Sequence, residues 1–382
     1  MIKPLIALAL IFSAALSPTQ PGQSLPIIEI LDAAPVFLPG GDDGSGRVLG
    51  IDSNSPAERD GDGNLYLFTS SFHPYRSLGT SIFDLSWPAL PVFISPRADV
   101  RGGQWMEATY RDEDGTLYGW YHNEPPNLCG NARQTAPRIG ALVSYDEGET
   151  WQNFGIVIDA PVGSLYCDTR NYYFAGGNGD FSVVLDQNKE YFYFFISTYH
   201  RQVAEQGVAV ARMRYEDRNN PNGKVRKWYA GGWNEPGLGG HVTATFPVLI
   251  DWHRSNANAY WGAAVHYNLH LESYVMLLNH AIDGNWSQEG IYISFNNNLE
   301  NLAGWSLPQR LPIYQQLGWY PQVIGMGGDE TDKLASQTAR LFISGRSFWE
   351  IVFHRTDNEE PGNPWQIPPR PVPKERPAPI IR

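Results

Sequence analysis

The chain has 382 residues, of which 13% are aromatic and only 18% charged, with 38 glycines and 29 prolines. That balance suits an all-β protein with many turns and speaks against a helical one. A net charge of −12 speaks against nucleic acid and anionic membrane surfaces as partners, since both reward basic patches. At the N-terminus Lys3 is followed by an apolar run over residues 5–16 and then by small and polar residues. This is the layout of a signal peptide over residues 1–17, and it predicts an exported or periplasmic protein with no membrane attachment after cleavage.

Beyond the leader, a loose cassette recurs: an extended segment, a turn rich in Asp, Gly or Asn, an aromatic-rich segment, and a second hairpin. The first copy spans residues 50–70, and the second spans 105–124 and is closed by a hairpin over 139–158. The third spans 179–197 with an alternating strand over 207–215. The fourth comprises 259–268, 272–278 and 290–294, and the fifth 319–325, 339–344 and 348–353. Each cassette is a small sheet that buries its faces only against neighbours, which predicts a ring of five blades, each a four-stranded antiparallel sheet, over residues 25–360. Residues 219–240 are rich in Gly and Pro and read as an irregular crossing between the third and fourth blades. Residues 361–382 hold eight prolines and read as an extended arm.

The hairpin of the second cassette is spelled Ser144-Tyr-Asp-Glu-Gly-Glu-Thr-Trp151. Asp146 is placed to accept backbone N–H groups inside the turn, Gly148 to supply a positive φ, and Trp151 to fold back as an apolar plug. The pattern resembles the Asp-box of sialidases and other β-propellers, a structural device of the blade edge. Two cysteines, Cys129 and Cys167, are left either to close a disulfide in an oxidising compartment or to stay as buried thiols. Without paired histidines they make a poor zinc site.

Five cassettes, a carboxylate near the head of each of the first three, and the turn Asn298-Leu-x-x-x-x-Gly-Trp305 together resemble the five-bladed propeller glycoside hydrolases, the group of arabinanases, β-xylosidases and invertases. The resemblance implies an acid and a base or nucleophile on the innermost strands, carried onto this chain as Asp52, Glu107 and Asp180. It departs from the invertase pattern, because Asp52-Ser-Asn-Ser-Pro56 stands where Asn-Asp-Pro-Asn-Gly is expected and no Arg-Asp-Pro triplet occurs.

The chemistry gives separate grounds for these three. Glycosidic cleavage needs two carboxyl groups flanking one bond, and like charges crowded at a narrow axis push one pKa up. A carboxylate inside an apolar strand, as at Glu107, is costly unless used. Asp60, Asp62, Asp112, Asp114 and Asp186 read as solvated turn residues. Asp168 rivals Asp180, with Arg170 beside it as a clamp for hydroxyl or carboxylate groups, and Glu289 is a further candidate for the acid. A sugar-binding lining is expected from His122 and Glu124 on the second blade, His266 and Asn268 on the fourth, and Trp319 and Tyr320 at the head of the fifth. No metal or cofactor motif is present: there is no phosphate loop, no His-Glu-x-x-His and no Gly-x-Ser-x-Gly. The expected function is cleavage of a polysaccharide or oligosaccharide, with a furanoside such as arabinan as the first substrate to test. A non-catalytic sugar-binding propeller and a sialidase-like exo-glycosidase are the alternatives.

Overall fold

A computed structural model of the chain describes residues 25–131, 133–313 and 318–355. The expected signal peptide and the proline-rich arm lie outside these residues. Five small sheets stand around a central axis as a five-bladed β-propeller.

Blade one is built from Ala57–Arg59, Leu65–Ser71, His73–Gly79 and Leu90–Pro91. Blade two runs outward from the axis as Gly103–Arg111, Leu117–Glu124, Arg138–Ser144 and Thr150–Ile158, with Phe93–Ile94 added in parallel at its outer edge. Blade three starts with Asn178–Leu185, Tyr191–Thr198 and Gly207–Arg214. The segment expected to be an irregular crossing instead gives it an outer hairpin, Arg226–Tyr229 and Gly232–Pro236. The glycines there sit in the turn, where Gly231 has φ +90, and leave the flanking residues free to pair. Blade four contains Ala259–Asn268, Ser273–Ala281, Gln288–Asn296 and Gln309–Arg310. In blade five, Pro321–Gly325, Thr338–Ile343 and Arg346–His354 are completed by the N-terminal strand Ile27–Phe37. The ring is therefore closed by a strand from the opposite end of the chain, which pairs antiparallel with Arg346–His354 as the outermost strand of the last blade.

The middle strands are near-continuous apolar runs because both faces of each blade are covered. In blade three, Phe192, Phe194 and Ile196 pack against Trp120, Ile139 and Ala141 of blade two. The alternate residues Tyr193 and Phe195 pack against Val265 and Met276 of blade four. Similar clusters fill the interfaces of blades four and five, five and one, and one and two.

In the Ser144–Trp151 hairpin, Asp146 accepts hydrogen bonds from the Ser144 hydroxyl (2.8 Å), the Thr150 amide (2.9 Å) and the Thr150 hydroxyl (2.6 Å). Burial opposes its charge, but these bonds hold its pKa below the ordinary carboxylate value. Trp151 is 1% exposed, stands edge-on to Phe68 at 5.7 Å, and donates its indole N–H to Gly148. One turn aspartate differs from expectation: Asp112 is buried, because Arg218 and Tyr215 reach over from the neighbouring blade to bond it. Cys129 and Cys167 are joined in a disulfide that links the loop between the second and third strands of blade two to the loop leading into blade three. For a separation of 38 residues the chain-entropy contribution is about 4 kcal/mol.

Candidate active site

Three carboxylates from three successive blades meet at one end of the axis. Asp52 lies in the segment leading into blade one, where its amide donates to Ser70 O at 2.9 Å. Glu107 stands in the inner strand of blade two and Asp180 near the start of the inner strand of blade three. Both are the extra residue of a β-bulge: pairing slips between Met106 and Ala108, and again between Gly179 and Phe181. A bulge re-aims the side chain that has no cross-strand partner, which is how two carboxylates inside apolar strands come to face each other across blades. Asp180 carries the strain of this arrangement in a left-handed backbone, φ +42.

His122 is the hub. Its Nε2 lies 3.2 Å from Glu124 Oε1, and its Nδ1 lies 3.5 Å from Glu107 Oε1 and 4.0 Å from Asp180 Oδ1. The Asp180 amide donates to Nδ1 at 3.0 Å, which leaves the ring proton on Nε2, facing Glu124. The ring fits against Gly179 because a Cβ there would come within 2.6 Å of His122 Cε1. Glu107 Oε2 accepts the Phe181 amide at 2.7 Å, and Asp180 Oδ2 accepts the Tyr199 hydroxyl at 2.7 Å. The Tyr320 hydroxyl stands 3.5 Å from Asp180 Oδ1.

The electrostatics follow from burial and like charge. Burial lifts Asp180 to about 7, His122 opposes the shift, and Glu107 adds to it. Burial likewise lifts Asp52 to about 6, with the Glu124 charge next in size. Burial works against a charged His122, but the Glu107 and Glu124 carboxylates outweigh it and raise the ring's pKa well above the ordinary value. Protonation at Nδ1 competes with the amide bond from Asp180, so the cluster shares protons among closely spaced groups. Glu107, His122 and Asp180 bring one ligating atom each to within 4.8 Å of one another. Nδ1 is already engaged by an amide, however, and one oxygen of each acid by another donor, so this arrangement suits proton sharing better than a cation.

Aromatic rings wall the mouth. Trp319 donates its indole N–H to Trp286 O and stands edge-on to Tyr173 at 6.1 Å and Trp261 at 5.7 Å. Tyr173 is raised in pKa by burial and next by the Asp52 charge, which places its ring beside the acids. On the opposite side Phe72, exposed and left-handed at φ +65, packs against Trp105.

The structure thus brings together Asp52, Glu107, Asp180, His122, Glu124 and Tyr320, with Trp319 in the aromatic wall. Four expected groups of site residues stand elsewhere. His266 is 2% exposed and faces a small axial cavity of about 10 Å³ beneath the site, where burial holds its pKa down at about 3. Asn268 is at the far end of its strand, its amide spent on Ser336 O and the Leu271 amide. Glu289 is on the third strand of blade four, away from the axis, bonded to His280, Tyr292 and Arg310. Asp168 and Arg170 are exposed on the loop beyond blade two and make no hydrogen bond or ion pair to the cluster among the described residues. Tyr199, Tyr173 and Trp286 were not legible as site residues, since each follows a turn or strand end with no distinguishing spelling. The one available signal was their aromatic type.

No family model matches the chain, and no characterised protein matches it in sequence. Among solved structures it is similar to an exo-β-1,3-galactanase from Phanerochaete chrysosporium, at 13% identity and TM-score 0.47 over 83% of this chain and 63% of that one. An endo-arabinase from Bacteroides thetaiotaomicron is similar at 12% identity and TM-score 0.48, covering 83% of this chain and 96% of that one. The catalytic domain of a Coprinopsis cinerea GH62 α-L-arabinofuranosidase is similar at 12% identity and TM-score 0.46, covering 83% and 95%. The chain spans less than two thirds of the galactanase's length. The five-bladed fold itself is established by the chain's own strand pairing.

Proposed function

We propose that this protein is an exported glycoside hydrolase that cleaves a polysaccharide or oligosaccharide at the axial mouth of the propeller. The observation that carries this reading is the convergence of acids from three blades on His122, with Asp52 and Asp180 lifted to about 6 and 7. Glycoside cleavage requires one carboxyl protonated near neutrality and another ionised beside it. Crowding and burial supply the first condition, and hydrogen bonds to His122 and to backbone amides supply the second. The aromatic wall offers flat apolar faces for sugar C–H surfaces.

The competing reading is a sugar-binding module without catalysis. It is favoured by one feature, the 3% exposure of both Glu107 and Asp180. Reducing-sugar release from arabinan, β-1,3-galactan, xylan, fructan and sialosides, using wild type, Asp52→Asn and Glu107→Gln, separates the two. Loss of activity in both variants by about 10² to 10⁴, with the fold retained, is the expected result. A glycan that binds all three proteins equally and is cut by none refutes the hydrolase reading.

A further inference from the structure

The acid cluster is layered. The side chains of Glu107, His122 and Asp180 are 2%, 4% and 4% exposed. That of Glu124 is 31% exposed, and Asp52 keeps exposed surface at the mouth although the surrounding protein partly desolvates its carboxyl. A group that exchanges a proton with a substrate oxygen must come within about 2.6–3.2 Å of it or act through one water. Oxygens with almost no accessible surface do not meet that requirement, whereas those of Asp52 and Glu124 do.

We propose that Asp52 and Glu124 are the two carboxyls that meet the substrate, and that Glu107, His122 and Asp180 form a positioning layer beneath them. The inference rests on the hydrolase reading and assigns its roles differently from the blade-head pattern.

Local geometry supports Glu124 in this role. It ends the second strand of blade two, two residues after His122, so the strand's period of two puts both side chains on one face. His122 Nε2 then holds Glu124 Oε1 at 3.2 Å, while the other oxygen accepts no hydrogen bond from the described residues. Gly103 is Glu124's cross-strand partner and presents no side chain opposite it. A carboxylate fixed by one charge-assisted bond, with its second oxygen open to the mouth, is built to take a proton. Asp52 lies close enough for the Glu124 charge to raise its proton affinity, an influence second only to the partial desolvation of its carboxyl.

In the assigned step the Asp52 proton passes to the glycosidic oxygen as the bond from that oxygen to the anomeric carbon breaks. Glu124 takes one proton from a water whose oxygen bonds the anomeric carbon. The products are a sugar with a free anomeric hydroxyl and an alcohol. Glu124 then returns its proton to solvent and Asp52 regains one, so no other reactant is consumed.

The test uses the full chain with 4-nitrophenyl α-L-arabinofuranoside, β-D-xylopyranoside and β-D-galactopyranoside, together with whichever glycan wild type cuts. Glu124→Gln is expected to lower kcat by about 10³. In Glu124→Ala, which opens space for a small anion, sodium azide is expected to restore turnover of the aryl glycoside with glycosyl azide as product. Asp180→Asn and Glu107→Gln are expected to shift the pH limbs of kcat/KM and to show no azide rescue. The assignment is overturned if Glu124→Gln stays within tenfold of wild type, or if azide rescues the Asp180 or Glu107 variant and not that of Glu124. In either case the hydrolase reading stands. Wild type that cuts no probe and no glycan overturns that reading and this assignment with it.

Discussion

Asp180→Asn makes the protein more stable above neutrality, and the gain has a defined pH dependence. Asp180 is 3% exposed, and its carboxyl titrates at about 7 in the folded chain against an ordinary 3.8. Between those two values the folded state holds a proton that the unfolded state has released. Stability is therefore fully present below the unfolded pKa and is lost as pH rises through the folded pKa. The slope approaches 1.36 kcal/mol per pH unit, so the cost between pH 5 and pH 8 is roughly 3 kcal/mol. Asparagine carries no titrating charge, and its side-chain oxygen still accepts the Tyr199 hydroxyl. Urea unfolding followed by tryptophan fluorescence, with the disulfide intact, measures both proteins at pH 5, 6, 7 and 8. The advantage of the variant should grow by roughly 3 kcal/mol across this range. A difference that stays flat with pH, or a wild type that gains on the variant toward pH 8, refutes the argument that Asp180 is charged at a cost.

Three further outcomes are expected. Glu124→Gln lowers the pKa of Asp52, because the Glu124 charge is, after burial, the largest influence raising it; carboxyl ¹³C NMR of the labelled protein reads this directly, and an unmoved Asp52 titration counts against the layered site. Trp151→Ala costs about 3–5 kcal/mol, since the ring is 1% exposed at the interface of blades one and two, and the shift in urea midpoint measures it. Lys333→Met costs about 3–5 kcal/mol, because Lys333 bonds Glu58 at 2.9 Å and Asp332 at 2.6 Å, and its loss leaves these two acids, 8% and 12% exposed in their side chains, without their cation. That loss should shrink as pH falls, because burial, the largest influence on Asp332, favours its neutral form; a loss that does not change with pH contradicts this account.

The blade count was legible because a propeller blade is a local object. Hairpin turns such as Asp112-Glu-Asp-Gly115 and apolar runs such as Tyr191–Thr198 are written in contiguous residues. Ring closure was not legible, because the pairing of Ile27–Phe37 with Arg346–His354 joins residues more than 300 positions apart. The outer hairpin of blade three was hidden by its glycines and prolines, which suit a turn as well as a crossing.

In the site, the sequence alone pointed to Asp52, Glu107 and Asp180 through their acidic type near the cassette heads, and to His122 and Glu124 at the end of a strand. It could not say which acids face the mouth and which lie beneath it. That depends on two β-bulges, on how far each strand reaches toward the axis, and on which rings from other blades cover the acids. His266 and Asn268 show the same limit: their strand was read correctly, but depth along the axis is a property of the assembled ring. Residue type and local pattern determine what chemistry a chain contains. Exposure, distance and proton affinity arise only when separate blades place those residues against one another.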